Sequence, residues 1–159
     1  KIWSVFVDNF VGLRYTFLTI ITVVIVAKVM TYSGMTKEIA DALVFATGNA
    51  YPVFAPFVGA IGAFITGSCT NANVLFGPLQ TSVASTLSMS PAWMAGASSL
   101  GGCIGKMLSP QSIALGVGAV GALAEGKEGE IMRGTAGYCL CLLVIAGILT
   151  FIIPSFLTL

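Results

Sequence analysis

Eight polar side chains in this sequence could bind a small polar molecule or an anion, and they lie in two short segments. The first segment is 66–73, Thr-Gly-Ser-Cys-Thr-Asn-Ala-Asn, which interrupts an otherwise apolar stretch. Its candidate ligand-binding residues are Ser68, Thr70, Asn71 and Asn73. Hydroxyl and amide groups both donate and accept hydrogen bonds, so this segment suits a small polar substrate.

The second segment is 105–112, Gly-Lys-Met-Leu-Ser-Pro-Gln-Ser, and it carries a positive charge. Its candidate ligand-binding residues are Lys106, Ser109, Gln111 and Ser112. A helix that starts inside this segment would direct free amide groups and the positive end of its dipole at a ligand, which favours a carboxylate. An anionic substrate is one partner for Lys106; an acid elsewhere in the full protein and helix carbonyl groups are the alternatives.

Capping of the local backbone is as good an explanation as ligand contact for any one of these side chains. Asn73 is placed to cap a helix that begins at about Val74, and Thr36 can cap an earlier one. Ser109 followed by Pro110 is typical of an N-cap and the first helical position. The prediction of a site therefore depends on the two segments acting together.

The elements that position these residues must be membrane helices. Hydrophobic residues make up 57% of the 159 residues and charged residues only 8%, whereas soluble domains carry about 25% charged residues. The net charge of +1 gives no reason to expect a nucleic-acid partner. Histidine is absent and the four cysteines form no Cys-x-x-Cys pair, so we expect no enzyme, no metal site and no cofactor.

The apolar runs predict an all-α membrane protein, a polytopic helical bundle. We expect helices over 15–32, 35–48, 52–65, 74–87, 91–106, 109–124 and 131–154. The run 52–65 would extend roughly 22 Å as a helix, which is short of the ~30 Å hydrocarbon core. The segments 66–73 and 105–112 are therefore expected at depth, as the breaks of two discontinuous or re-entrant helix pairs.

The remaining segments carry most of the charge. Residues 1–13 are interpreted as the end of an upstream span or an interfacial helix. The helix over 35–48 is amphipathic and is expected at the membrane surface or as a link between moving parts. The cluster 125–130 is expected in a solvated loop. We interpret 1–159 as a single transmembrane domain, the C-terminal part of a longer carrier.

Two motifs resemble the L-lactate permease family. They are 62–77, GAFITGSCTNANVLFG, and 101–114, GGCIGKMLSPQSIA, and the similarity extends over roughly 14–154. The resemblance implies the C-terminal part of a multi-pass carrier in the bacterial inner membrane, a plasma membrane. It implies symport with protons of L-lactate and related 2-hydroxy monocarboxylates such as glycolate, with re-entrant hairpins around the substrate.

One position departs from the pattern of that family. An aspartate usually follows the Gly-Ser pair and is a natural proton carrier, whereas this chain has Cys69. Glu38 and Asp41 are expected near the interface and do not replace it. The coupling ion therefore stays open, and a sodium-coupled carboxylate transporter is the alternative within transport. A non-transporting membrane assembly subunit is the alternative from another class.

The expected partners follow from this interpretation. They are a small carboxylate such as lactate or glycolate, the lipid bilayer and the rest of the full-length carrier. A homo-oligomer is left open. In the predicted arrangement the carboxylate binds between 68–73 and 106–112, with its charge at Lys106 and its hydroxyl at Ser, Thr or Asn side chains.

Overall fold

The computed structural model describes residues 14–121 and 126–157, and the regular elements within these ranges are all helical. They are α1 (Arg14–Tyr32), α2 (Met35–Thr47), α3 (Tyr51–Thr66), α4 (Cys69–Thr86), α5 (Pro91–Lys106), α6 (Pro110–Val120) and α7 (Glu128–Leu157), with a 3-10 turn (Gly48–Ala50) before α3. The prediction of an all-α membrane protein is confirmed. The interpretation of 1–13 lies outside the described residues. The predicted end of α6 at 124 is wrong, because the helix ends at Val120, where Gly121 follows with a positive φ of 75°.

By length and composition alone, two segments, Met35–Thr66 and Glu128–Pro154, could cross a membrane, but the first is divided by the turn Gly48–Ala50 between α2 and α3. The second of them belongs to α7, which contains the predicted final span 131–154. The 30 residues of α7 extend about 45 Å, more than the hydrocarbon core requires. The helix begins at Glu128, so the second half of the expected loop 125–130 forms its first turn instead.

The first break is narrower than the polar segment 66–73 suggested. Gly67 ends α3 with a left-handed backbone, φ 66°, and α4 begins at Cys69 rather than at Val74. The Oγ of Ser68 accepts a hydrogen bond of 3.3 Å from the backbone nitrogen of Asn71. The predicted cap at Asn73 is wrong because Ser68 holds the extended position just before the helix, which leaves Asn73 inside it.

The second break is limited to 107–109, between α5 and α6. The Oγ of Ser109 accepts a hydrogen bond of 3.2 Å from the backbone nitrogen of Ser112, and Pro110 is the first helical residue. This confirms the predicted cap. The same pattern starts α5, where Ser90 precedes Pro91 and its side chain accepts a hydrogen bond from the backbone nitrogen of Trp93.

The start of α2 differs from the prediction. The residue before the helix is Gly34, with φ 79°, and it supplies no side-chain cap. The predicted cap, Thr36, lies in the first turn and is only 7% exposed. The prediction is wrong because the left-handed turn at Gly34 moves the helix start one residue ahead of Thr36, where its hydroxyl no longer precedes the free amides.

The chain turns between α2 and α3. Gly48 has φ 54°, which ends α2. Thr36, near the start of α2, lines a cavity with Ser82 of α4. The hydroxyl of Tyr51, at the start of α3, donates to Oε1 of Gln80, also on α4, at 3.2 Å. Ala40 of α2 also packs in one buried cluster with Val83 of α4, so α2 packs beside α4 instead of prolonging α3.

The helices α3 and α5 pack in parallel with their backbones in contact. A Cβ at Gly101 would overlap the carbonyl of Pro56, and a Cβ at Gly105 would overlap that of Ala60. The contacts advance in the same direction on both helices, so α3 and α5 end at the same level. Close approach of this kind is typical of small residues at helix interfaces in membranes.

The last helix lies antiparallel against this pair. The thiol of Cys139 donates to the carbonyl oxygen of Ile104 at 3.6 Å, and Nε1 of Trp93 donates to the carbonyl oxygen of Thr150 at 3.2 Å. The side chain of Leu143 joins a buried cluster with Ile104. The start of α7 is therefore at the end of the bundle where the two breaks lie.

Candidate functional site

The two breaks lie side by side at one end of the parallel pair. The side chain of Gln111, in the first turn of α6, packs directly on Gly67 of the first break, where a Cβ would collide with its Oε1. Only a residue without a side chain allows both this contact and the positive φ of Gly67. The fold therefore brings together the two predicted groups of residues, which are far apart in the sequence.

The helices that leave and enter the breaks also share a polar surface. Nδ2 of Asn73 on α4 donates to Oγ of Ser99 on α5 at 3.0 Å. One turn nearer the breaks, the free thiols of Cys69 and Cys103 lie near each other and near the ammonium group of Lys106. We call these five residues the polar strip.

The eight predicted residues differ in how far they can reach a ligand. Thr70, Asn73, Lys106 and Gln111 are exposed, Ser68 and Ser112 are half-buried, and Asn71 and Ser109 are buried. The four exposed side chains lie on α4, α5 and α6 around the breaks. They form the part of the predicted set that is open to a ligand.

The serine hydroxyls of the breaks serve the backbone. Ser68 caps α4 and Ser109 caps α6, and the hydroxyl of Ser109 also donates to Oγ of Ser112 at 3.0 Å. Oγ1 of Thr66 accepts from the backbone nitrogen of Ser68 at 3.3 Å, which stabilises the first break further. For Ser68 and Ser109, the structure shows local capping, the alternative to ligand contact that was considered for each residue.

The charges at the breaks favour an anion. The positive dipole ends of α4 and α6 meet there, and Lys106 is exposed beside them. Lys106 also stands in the last turn of α5, where a cation is favoured by the carbonyl end of its own helix. Within 14–121 and 126–157, no group of three or more His, Cys, Asp or Glu side chains could hold a metal ion.

Sequence reasoning missed two members of the polar strip, Ser99 and Cys103. Both face α4 together with Lys106, because positions 99, 103 and 106 follow the spacing of one helix face. That spacing was the available signal, but small residues on both sides of it are equally typical of helix packing.

Comparison with known proteins assigns the family. The model of the L-lactate permease family matches residues 1–157. The chain belongs to the L-lactate permease family. It is 40% identical over 147 residues to the glycolate permease GlcA of Escherichia coli (strain K12), which covers 92% of this chain and 26% of that protein. It is 42% identical over 153 residues to the L-lactate permease of Bacillus subtilis (strain 168), covering 96% of this chain and 27% of that protein.

The match to these permeases is partial in one respect. The chain spans about a quarter of the length of the curated relatives it matches. A shorter alignment, 91 residues at 50% identity, relates it to the L-lactate permease of Streptococcus iniae and covers 57% of this chain and 19% of that protein. No solved structure matches the chain.

Proposed function

We propose that this chain belongs to a secondary transporter that moves L-lactate and related 2-hydroxy monocarboxylates such as glycolate, and that it contributes to the substrate site. The observation that carries the proposal is the contact of Gln111 with Gly67, which joins two helix breaks beside the exposed Lys106. The printed names of the relatives, lactate and glycolate permeases, support the substrate class. The proposed role is transport rather than enzymatic conversion.

The proposed substrate pose uses the exposed groups of the site. The carboxylate lies at the positive ends of α4 and α6 and pairs with the ammonium of Lys106. The 2-hydroxyl group hydrogen-bonds to Thr70 or Asn73, which are exposed on the first turns of α4. The conformation of the breaks is stabilised by the less exposed residues of the set, Ser68, Asn71, Ser109 and Ser112. Gln111 contacts the substrate from α6.

The proposed placement puts the breaks inside the membrane. The 16 residues of α3 and the 16 of α5 each extend about 24 Å, less than the ~30 Å hydrocarbon core. Both helices then end at depth, as the first arms of re-entrant pairs in a plasma membrane. The unit formed by 1–159 moves against the rest of a longer carrier during alternating access.

Proton symport is the proposed coupling, with sodium as the second candidate. A carboxylate at the first position of α4 would be the simplest proton carrier, but this chain has Cys69 there. In proton symport, the proton site would therefore lie elsewhere in the carrier. Sodium is favoured by a different observation: the carbonyl ends of α3 and α5 meet at the breaks together with hydroxyl groups, and oxygen ligands suit a hard cation.

Counterflow in proteoliposomes with the full-length carrier tests the function. Lactate, glycolate and a dicarboxylate are compared, each with and without a proton or sodium gradient. We expect lactate and glycolate to exchange and the dicarboxylate to be excluded. Uptake that follows only the sodium gradient would show sodium, not the proton, to be the coupling ion. The absence of any exchange would favour a non-transporting membrane assembly subunit.

The role of Lys106 is tested by Lys106→Ala in the same assay. We expect loss of lactate uptake at normal membrane expression, because the carboxylate loses its cationic partner. The matched control is Lys28→Ala, which removes an exposed lysine of α1 that lies in neither break. Unchanged uptake in Lys106→Ala would rule out the pairing of Lys106 with the substrate carboxylate.

A further inference from the structure

Two cysteines that are far apart in the sequence meet across α4 and α5. Cys69 is the first residue of α4, and Cys103 lies three residues before the end of α5. Both are free thiols, and they lie near each other. The fold thus creates a pair of neighbouring thiols, although the sequence has no Cys-x-x-Cys motif.

A hydrogen bond one turn away fixes the register of this pair. Nδ2 of Asn73 on α4 donates to Oγ of Ser99 on α5 at 3.0 Å. Cys69 lies four residues before Asn73, and Cys103 lies four residues after Ser99. Residues four apart lie on the same face of a helix, so both pairs belong to one line of contact between antiparallel helices. The two thiols face each other because α4 and α5 pack along this line.

The backbones that carry the two thiols are held in place. Ser68 caps the first turn of α4 immediately before Cys69. On α5, a Cβ at Gly101 or Gly105 would overlap carbonyls of α3, so the turn that contains Cys103 lies directly against that helix. The two thiols are thus preorganised, which favours the closing of a bond between them.

The two thiols also differ usefully in exposure. Cys103 is exposed and Cys69 is half-buried, so the pair combines a thiol that a reagent can reach with a close second one. The other two cysteines lie on α7. Cys139 is fully buried, and its thiol donates to a backbone carbonyl. Cys141 is exposed, but it follows Cys139 by two residues and lies on a different side of the helix.

We propose that Cys69 and Cys103 form an oxidisable dithiol, which a small disulfide converts into a disulfide between α4 and α5, and that this modification stops substrate binding. The thiolate of Cys103 attacks one sulfur of the small disulfide, which forms a mixed disulfide and releases one small thiol. The thiolate of Cys69 then attacks Sγ of Cys103, which forms the bond between the helices and releases the second small thiol. The protein pair loses two electrons and two protons, and the small disulfide gains them.

The effect on the substrate rests on the proposed function. Thr70 directly follows Cys69, and Lys106 lies one turn after Cys103, so the pair adjoins the groups proposed to bind the hydroxyl and the carboxylate. A covalent bond there ties the first turn of α4 to α5, and the site no longer adjusts around its ligand. Lactate at this position would in turn cover the exposed thiol of Cys103 and slow its oxidation.

Peptide mapping by mass spectrometry tests the pair in the full-length carrier in proteoliposomes. The carrier is treated with hydroxyethyl disulfide, and the remaining thiols are blocked with N-ethylmaleimide. We expect a peptide linked through Cys69 and Cys103, which forms more slowly in saturating lactate and disappears with dithiothreitol. Lactate uptake should be lost with the same time course and should return on reduction.

Three serine substitutions separate this pair from other thiols. Cys69→Ser and Cys103→Ser cannot form the bond, so uptake by each variant should be the same before and after treatment. The matched control is Cys141→Ser, which removes another exposed thiol, on α7. This variant should lose uptake on treatment as the wild type does.

Other results overturn the proposal. A mixed disulfide on Cys103 without the linked peptide would show that the two thiols do not meet. A linked peptide with unchanged uptake would show that the bond does not control the substrate site. Loss of uptake in treated Cys69→Ser would assign the effect to a single thiol. The linked peptide is detected without transport, so a reduced carrier that takes up no lactate contradicts the proposed function and not the dithiol.

Discussion

At the residue scale, the breaks divide their polar side chains between two tasks. Ser68 and Ser109 are used by the backbone, as N-caps of α4 and α6. Asn73 and Lys106 remain exposed next to them: Asn73 lies on α4, which Ser68 caps, and Lys106 ends α5, which Ser90 caps. In the proposed function these two serines act indirectly, by holding the first turns of α4 and α6 beside the substrate.

This division predicts the effect of Ser109→Ala. Loss of the cap leaves the amide of Ser112 without its acceptor and should lower the free energy of unfolding by about 1 kcal/mol. Ser109→Thr keeps a hydroxyl at the same position and should lose less. Unfolding by SDS in mixed micelles measures both variants, and equal losses would show that volume at this fully buried site matters more than the cap.

At the element scale, the parallel contact of α3 with α5 sets the level of both breaks. Gly101 and Gly105 lie directly on carbonyls of α3, and the separation of the two helix axes depends on their missing side chains. A shift of α5 along α3 would also separate Gln111 from Gly67, because the two breaks follow these helices.

Gly101→Ala tests the close contact of these helices. The added methyl would overlap the carbonyl of Pro56, and we expect a loss of about 1–3 kcal/mol in the free energy of unfolding. The matched control is Gly96→Ala on the same helix, where a Cβ meets nothing within 4 Å. The control should be neutral or stabilising by about 0.5–1 kcal/mol. Equal effects of the two substitutions would contradict the packing.

The sequence predicted the helices of this bundle better than their contacts. Ser90-Pro91 and Ser109-Pro110 mark helix starts through local chemistry, and both predictions are confirmed. The cap of α4 was missed because 66–73 offers several side chains able to cap, and only the fold selects one. The turn after α2 and the contact of Gln111 with Gly67 depend on packing between distant residues, which no local pattern encodes.

At the scale of the whole molecule, the bundle has two chemically different ends. One end carries the breaks with Lys106, and the other carries the turn between α1 and α2 and the turn between α4 and α5. The α1–α2 turn and the α4–α5 turn lie close together, because Thr31 at the end of α1 and Ser85 near the end of α4 line one cavity. The start of α7 is at the end of the breaks, since α7 runs antiparallel to α5.

This polarity predicts the sidedness of chemical labelling in the full-length carrier. Single cysteines are placed at Ser33, Thr86 and Lys127, all exposed, in a background whose four native cysteines are serine. We expect a membrane-impermeant thiol reagent to reach Ser33→Cys and Thr86→Cys from the same side. Lys127→Cys should react from the opposite side, because α7, about 45 Å long, crosses the hydrocarbon core completely.

Labelling also separates a re-entrant pair from two complete spans. If α3 and α4 each crossed the membrane, the first break would face the aqueous phase, and Thr70→Cys, exposed next to it, would react as fast as Lys127→Cys. A break at depth should instead react slowly with the impermeant reagent, and lactate should slow it further by occupying the site. Fast labelling that lactate does not change would place the break at the surface and remove the basis for a substrate site within the membrane.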